Sequence, residues 1–359
     1  MRVTGGMMIT GLAVVLSATA CSDAPSAPRP TPDQSVFADE GANVSAFVPL
    51  DLGTTAGLPN SVGNGINTMG DMAGASYNVD PTADGRVARW TAANRTDLGV
   101  PAGFNAAVGN AISDFGAIVG SAYGAVGRRG FVWQVGGIGY GILNGPVGTT
   151  DLDARDIEDN NLVVVGEFTN GGMVHAFRWQ PATGYRDLHP AGFLSSHAEA
   201  IAPNGAVTGW VKMFGGPEHA AMWSPAGVFT DLGALVAGAN AHGYDINSFG
   251  MNVGESGNGA GAVVAVLRRL PNPMAGAPIP DSRGMGISDL GRMVGWAPQA
   301  GARRAVTKRG AGALGFLPPL AGTATSDARE VNRCGQVVGS TTYANGITRA
   351  TWWNNVPCD

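Results

Sequence analysis

The residues best suited to chemistry in this chain are its five histidines and one acidic run. His175 and His219 hold one position of an internal repeat, where other copies carry Arg86, Arg129, Val263, Arg304 and Arg349. A position repeated around a scaffold is structural rather than catalytic. His189, His197 and His242 are expected in connections between repeats, and none shows the His-x-x-x-His spacing of a zinc-binding helix. Asp151, Asp153, Asp156, Glu158 and Asp159 lack the ligand spacing and glycine of a calcium loop, so they read as a solvated loop. No Gly-x-Ser-x-Gly elbow is present. No catalytic residue, metal site or cofactor is assigned. A binding or surface-interaction role is the leading reading. A structural envelope component, or a hydrolase or lyase with its site in the mouth of a central channel, is the alternative.

A second candidate set is aromatic. Tyr77, Tyr123, Phe168, Trp210, Trp296 and Tyr343 follow the second strand in six of seven repeats. Aromatic side chains on a polar rim suit sugar rings or protein hot spots. The alternative is that they cap the core from above.

These residues are positioned by a repeat. Its anchors are Ile66, Ile112, Ile157, Ile201, Ile246, Ile287 and Val331, spaced 41 to 46 residues apart. Each anchor leads into a short polar turn, and a glycine closes the following strand: Gly74, Gly120, Gly166, Gly209, Gly254, Gly295 and Gly339. Three residues before each anchor stands Gly or Ala, which predicts close backbone approach. A tryptophan follows in five copies (Trp90, Trp133, Trp179, Trp223, Trp353), whereas Leu267 and Lys308 replace it in copies five and six. An Asp-Leu pair comes next in several copies. Each unit therefore holds four short strands, A to D, of an antiparallel sheet. With 56 glycines and 14% charged residues, long helices are disfavoured. Units of this length and strand content make propeller blades. The fold class is thus an all-β, seven-bladed β-propeller over residues 45–359.

The ends fit a ring. The last copy stops after Trp353 without a strand D, and residues 46–53 supply a spare strand D ahead of the first copy. The N-terminal strand is expected to complete the last blade, removing exposed sheet edges.

Ahead of the repeats, residues 1–20 read as a signal peptide: a basic start, a short apolar run too brief to span a bilayer, and Ala18-Thr19-Ala20 as a small-x-small cleavage site. Cys21 follows. The segment resembles the lipobox of bacterial lipoproteins, with Ala18 where leucine is usual. That resemblance implies lipidation of Cys21 and, with Ser22 next, outer-membrane sorting. Ordinary cleavage and secretion is the alternative. Residues 21–44, with Pro25, Pro28, Pro30 and Pro32, read as a disordered tether.

The repeat resembles the HAF-repeat family of bacterial extracellular proteins. His175-Ala176-Phe177-Arg178-Trp179 carries the naming motif, His219-Ala220-Ala221-Met222-Trp223 is a looser copy, and the Ile-Asn-x-x-Gly…Gly and Asp-Leu-Gly elements match. The likeness covers about Ala46 to Trp353. It implies a fold and an extracellular location, and no defined activity.

Cys334 lies in the A–B turn of the last unit and Cys358 just past its strand C. Those two ends share one face of a meander, so a Cys334–Cys358 disulfide is expected, in keeping with export. The alternative is an unbridged Cys334 filling an apolar turn position. The connections that vary between copies, D–A and B–C, emerge together at one end. Variable loops on a rigid scaffold are where binding resides. Expected partners are a glycan, a cell-wall component or a protein on that face, with membrane contact only through the lipid. A formal charge of −5 gives no reason to expect nucleic acid. The chain reads as a monomer.

Overall fold

The computed structural model describes residues 46–136, 139–158, 162–269, 275–277, 279–310 and 314–354. The signal segment, the tether and Cys358 lie outside the described residues, so the expected disulfide carries over as a proposal. The described chain forms seven four-stranded antiparallel sheets and one short helix, α1 (Pro81–Asp84). A single strand, β1 (Val48–Asp51), comes first. Blade 1 is β2 (Asn60–Ile66), β3 (Met72–Tyr77), β4 (Arg86–Trp90) and β5 (Arg95–Gly99). Blade 2 is β6 (Ala106–Ile112), β7 (Ile118–Gly124), β8 (Gly127–Trp133) and β9 (Tyr140–Leu143). Blade 3 is β10 (Thr149–Ile157), β11 (Val164–Asn170), β12 (Met173–Gln180) and β13 (Gly184–Asp187). Blade 4 is β14 (Phe193–Ile201), β15 (Val207–Met213), β16 (Glu218–Trp223) and β17 (Phe229–Gly233). Blade 5 is β18 (Ala241–Ile246), β19 (Met251–Gly257), β20 (Val263–Arg269) and β21 (Ala275–Gly276). Blade 6 is β22 (Arg283–Ile287), β23 (Arg292–Gln299), β24 (Ala302–Arg309) and β25 (Gly315–Phe316). Blade 7 is β26 (Thr323–Val331), β27 (Val337–Tyr343) and β28 (Thr348–Asn354), completed by β1 as its outermost strand. The pairing runs Val48↔Asn354 to Asp51↔Thr351. Neighbouring A strands touch all the way round, and β26 meets β2. The protein is a closed seven-bladed β-propeller.

Blades 5 and 6, which lack the strand-C tryptophan, still have four strands, but their D strands shrink to two residues. Where the tryptophan is present it joins blades. Trp223 Nε1 donates to Leu188 O at 2.8 Å and Trp353 Nε1 to Pro318 O at 2.7 Å, each acceptor belonging to the preceding blade or its exit.

The closing glycine of each B strand has a steric cause. Every A strand carries a β-bulge two residues before its anchor, seen as register shifts such as Gly63/Gly65 and Ala198/Ala200. In each blade a Cβ on that glycine would overlap the carbonyl oxygen of the A-strand residue four before the anchor, for example His197 O against Gly209. The small residue three before the anchor has the expected close approach. Gly63, Gly109 and Gly243 lie against the B-strand glycine of the preceding blade.

The turn asparagine also works between blades. Asn67 Oδ1 accepts from Met69 and Asp71 within its own turn, while its Nδ2 donates to Ser113 O of blade 2 at 3.0 Å. Asn332 repeats this towards Asn67 O at 2.9 Å, across the closing seam. In blades 3 and 5 the residue before the anchor does the same with a carboxylate. Asp156 accepts from its own Ile157 and from Ile201 of blade 4, and Asp245 from Ile246 and Ile287 of blade 6. Burial pushes both carboxyls up to about 7, aided by the charge of Asp245 on Asp156 and of Asp289 on Asp245. Both hold a proton more tightly folded than unfolded. Their contribution is therefore full below about pH 4 and is lost as pH rises through 7. The propeller is expected to melt several degrees lower at pH 8 than at pH 5, and Asp245→Asn should flatten that slope. A wild-type melting temperature that does not fall over this range contradicts the assignment.

The repeated His or Arg is a latch on strand D. Arg86–Asp97 and His219–Asp231 meet at 2.9 Å and His175–Asp187 at 2.8 Å, while each of these aspartates also caps the backbone two residues on. These pairs are exposed, so His219→Ala is expected to cost less than about 1 kcal/mol in chemical denaturation. A larger loss would mean the histidine does more than latch.

Candidate ligand site on the loop face

A and C strands run away from the face bearing the D–A and B–C connections (the loop face). They run towards the face bearing the A–B and C–D connections (the turn face). The expected acidic loop is not a loop. Asp151, Asp153 and Asp156 lie on β10, and Glu158 is buried in the turn after it. Strand A starts earlier here than in blade 1, and Asp151 and Asp153 are held by bases while Asp156 is held by backbone amides. Arg128 reaches Asp153 and Asp151 at 2.6 Å, and Arg155 reaches Asp153 at 3.0 Å. Asp159 lies outside the described residues. His197 and His242, expected in connections, lie instead on β14 and β18; only His189 is between strands, stacked on His175 at 4.1 Å.

The six aromatics do not share one setting. Counted from the closing glycine they stand one to four residues on, and strand alternation sends odd and even positions to opposite sheet faces. Phe168, 2% exposed, fills the core between blades 2 and 3 with Leu152 and Phe177. Tyr77 is buried with Val62, Ala75 and Val108, and Tyr123 packs against that cluster. Tyr343 stands half-buried at the end of β27. Trp210 and Trp296 stand apart. Trp210 stacks on His197 at 3.6 Å and meets His242 of blade 5 at 4.8 Å. Trp296 carries Arg303 and Arg283 over its ring at 5.0 and 5.6 Å.

Those two tryptophans belong to a polar belt that the sequence did not reveal. Four residues before the anchor, blades 1 and 2 carry Val62 and Val108, whereas blades 3 to 7 carry Asp153, His197, His242, Arg283 and Asp327. The residue after the closing glycine pairs with each of these: Glu167 with Asp153, Trp210 with His197, Glu255 with His242. The bulge turns out the residue between, here Arg155, Glu199 and Tyr244. Links then run from blade to blade. His197 Nδ1 meets Glu167 at 2.7 Å, Arg155 lies 3.4 Å from Glu167 and 3.8 Å from Glu199, and Trp210 Nε1 donates to Glu199 at 3.2 Å. His242 sits between Glu218 at 2.9 Å and Glu255 at 3.1 Å, Tyr244 donates to Glu255 at 2.6 Å, and Arg283 of blade 6 also pairs with Glu255.

The belt sorts its ionisable groups. Burial alone would raise Glu167, but the His197 hydrogen bond and the Arg155 and Arg128 charges hold it down at about 2. Burial raises Glu199, against the pull of Arg155. Burial works against a charged His242, yet its bonds to Glu255 and Glu218 raise its affinity for a proton. Next to His242 and Glu255 opens a cavity of about 360 Å³, walled by Ala239 and Asn240 of the D–A connection and the glycine-rich B–C connection 257–262. Variable loops thus wall a cavity whose charged groups are His242 and Glu255. Among the described residues no three His, Cys, Asp or Glu side chains gather closely enough to hold a metal ion, and no helix is long and apolar enough to cross a membrane.

No family model matches the sequence, and no curated protein matches it. Solved structures do resemble the fold. A streptogramin B lyase superposes with a TM-score of 0.56 at 12% identity, covering 86% of this chain and 97% of that one. The β-propeller domain of the Trilobed protease from Pyrococcus furiosus, described as having an open velcro topology, gives 0.57 at 10% identity over 82% and 96%. The BP39L lectin from Burkholderia pseudomallei gives 0.50 at 13% identity over 83% and 99%. These likenesses establish the propeller fold.

Proposed function

We propose that this is an exported propeller, lipid-anchored through Cys21 and belonging to the HAF-repeat class, that binds an envelope ligand at the loop face of blades 3 to 6. One observation carries the reading: the scaffold positions repeat around the ring, whereas the belt residues differ from blade to blade over blades 3 to 7 and border a loop-walled cavity at His242 and Glu255. Trp210, part-exposed, stacked on His197, flanked by His242 and bonded to Glu199, sets an apolar ring among hydrogen-bonding groups. That combination suits a sugar ring or a polar protein side chain. The same scaffold serves a protein named as a lectin. A Cys334–Cys358 disulfide fits this exported reading and would lock the closing blade.

The test is capture of envelope glycans, cell-wall fragments and proteins by the mature chain. Trp210→Ala should weaken capture at least tenfold, as loss of a central aromatic anchor does in other interfaces. Phe168→Leu should leave it unchanged. Capture that survives Trp210→Ala sinks the site assignment.

A second reading, acid–base catalysis, is favoured by one feature. Glu167 and Glu199 flank Arg155 with their affinities for protons driven apart, a pattern found in acid/base pairs. A hydrolase and lyase screen comparing wild type with Glu199→Gln decides it. Turnover abolished by Glu199→Gln supports the reading, and absence of turnover removes it.

A further inference from the structure

We propose that the turn face of the propeller docks on an anionic lipid surface, leaving the loop face directed away from it. The proposed lipid at Cys21 supplies the tether in this picture. The docking itself rests on three features of the folded body.

The first is where the chain enters. Val48 pairs with Asn354, the last residue of β28. Strands C end at the turn face, so β1 begins there, and the tether expected over residues 21–44 would join the body at that side. An extended segment of that length reaches tens of ångströms, at roughly 3 Å per residue. It is long enough for the body to lie down or stand off, so the body's own surface decides.

The second is charge. The turn-face ends of strands C and D carry Arg89, Arg95, Arg178, Lys308 and Arg309, and Arg186, within β13, reaches that face through Ala226 O. Strands D carry Asp51, Asp97, Asp187 and Asp231 towards the loop face, and the same face carries Arg86, Arg128, Arg283, Arg303 and Arg349, each ion-paired with a carboxylate. Arg178 and Arg186 donate to the carbonyl oxygens of Pro225 and Ala226, which aim the guanidinium groups without neutralising them. Of the turn-face acids, Asp71 pairs with Arg89 at 2.5 Å, while Asp289 accepts from the backbone of Ser248. The two faces thus differ in pairing: the bases named on the loop face are matched by carboxylates, whereas Arg178 and Arg186 on the turn face bond only backbone carbonyls in these contacts.

The third is apolar. The third residue after the anchor sits at the tip of each A–B turn, nearest the axis. Met69 is 79% exposed there, Phe115 73% and Leu290 47%. Packing does not demand this, because Asn204 fills the same position in blade 4. Val135 and Val228 add exposed side chains on the C–D connections of the same face. The loop face also exposes apolar residues, among them Val126 and Phe214, but the bases beside them, Arg128 and Lys212, are already paired with Asp151 and Glu218. Basic residues close to an anionic bilayer attract it, and apolar tips enter the headgroup boundary.

The test uses the mature chain with Cys21→Ser, so that no acyl group contributes. It is sedimented with phosphatidylcholine vesicles, with and without phosphatidylglycerol. Binding is expected only with the anionic lipid and should weaken as salt rises. Arg95→Glu with Arg186→Glu should lower the partition by about tenfold or more, and Met69→Ser with Phe115→Ser should lower it several-fold. Val126→Ser with Phe214→Ser should not change it. Met69 and Phe115 are exposed, so that pair still decides the matter if the arginine variant fails to fold. Absence of sedimentation with anionic vesicles, equal binding to neutral ones, or an equal loss in the loop-face variant overturns the proposal. Mass spectrometry of the wild-type N-terminal peptide reports separately on the anchor. An unmodified Cys21 would remove the anchor and leave the docking face standing.

Discussion

Gly209→Ala is expected to destabilise the propeller by more than about 4 kcal/mol, or to prevent folding altogether, although it adds one methyl group to an ordinary strand. Gly209 does not have the positive φ that reserves a position for glycine. The obstacle is His197 O, which the bulge in β14 pushes into the space a Cβ would take. Backbone cannot swing aside as a long side chain can, so either the bulge flattens or the two strands part. Flattening the bulge would withdraw Glu199 from Trp210 and Arg155. Gly215 is the informative comparison. It has a positive φ of 65° with open space around it, so Gly215→Ala should cost only about 1–2 kcal/mol. Urea denaturation of the two variants checks the order. If Gly209→Ala costs no more than Gly215→Ala, the bulge does not explain why this glycine recurs.

The second large effect concerns the seam. Removing residues 46–52 should cost several kcal/mol and broaden the unfolding transition. The deletion strips β28 of its outer partner, takes away Phe47, which is 3% exposed beneath Arg292, and opens a sheet edge beside Trp352 and Trp353. A ring shares its stability among all its blade interfaces, and an opened ring approaches a linear array whose units unfold more independently. A synthetic peptide of residues 45–53 should restore part of the lost melting temperature in a concentration-dependent way, as binding to the native state requires. A deletion that melts like the full chain would mean that β1 is not what closes the ring.

The sequence carried the ring plainly and the belt hardly at all, and the reason is physical. Anchors and closing glycines recur because each solves the same steric problem in every blade, and Asn67, Asn247 and Asn332 repeat one inter-blade hydrogen bond in three of them. Repetition therefore exposes them, and the counted units and the spare N-terminal strand follow. His197, His242 and Asp153 differ from blade to blade, so repetition hides them. Without the start of each A strand they fell into connections. Knowing that the glycine-linked bulge sits two residues before every anchor would have placed them, because residues four and two before the anchor then share the channel side. The aromatics misled for a related reason. Tyr77, Phe168, Trp210 and Tyr343 look alike in sequence, but a shift of one residue along a strand sends Phe168 into the core and Trp210 into the belt. The His175–Asp187 and His219–Asp231 latches were legible as structural because their positions repeat.

The most direct test of the loop-face site is hydrogen exchange on the mature chain, alone and with a soluble pool of envelope glycans and cell-wall fragments. Slower exchange is predicted in residues 210–218, 239–244 and 255–262, and nowhere on the A–B turns, and Trp210→Ala should abolish it. Protection confined to the A–B turns, or no protection at all under conditions where the pool is retained, would contradict the placement of function on blades 3 to 6.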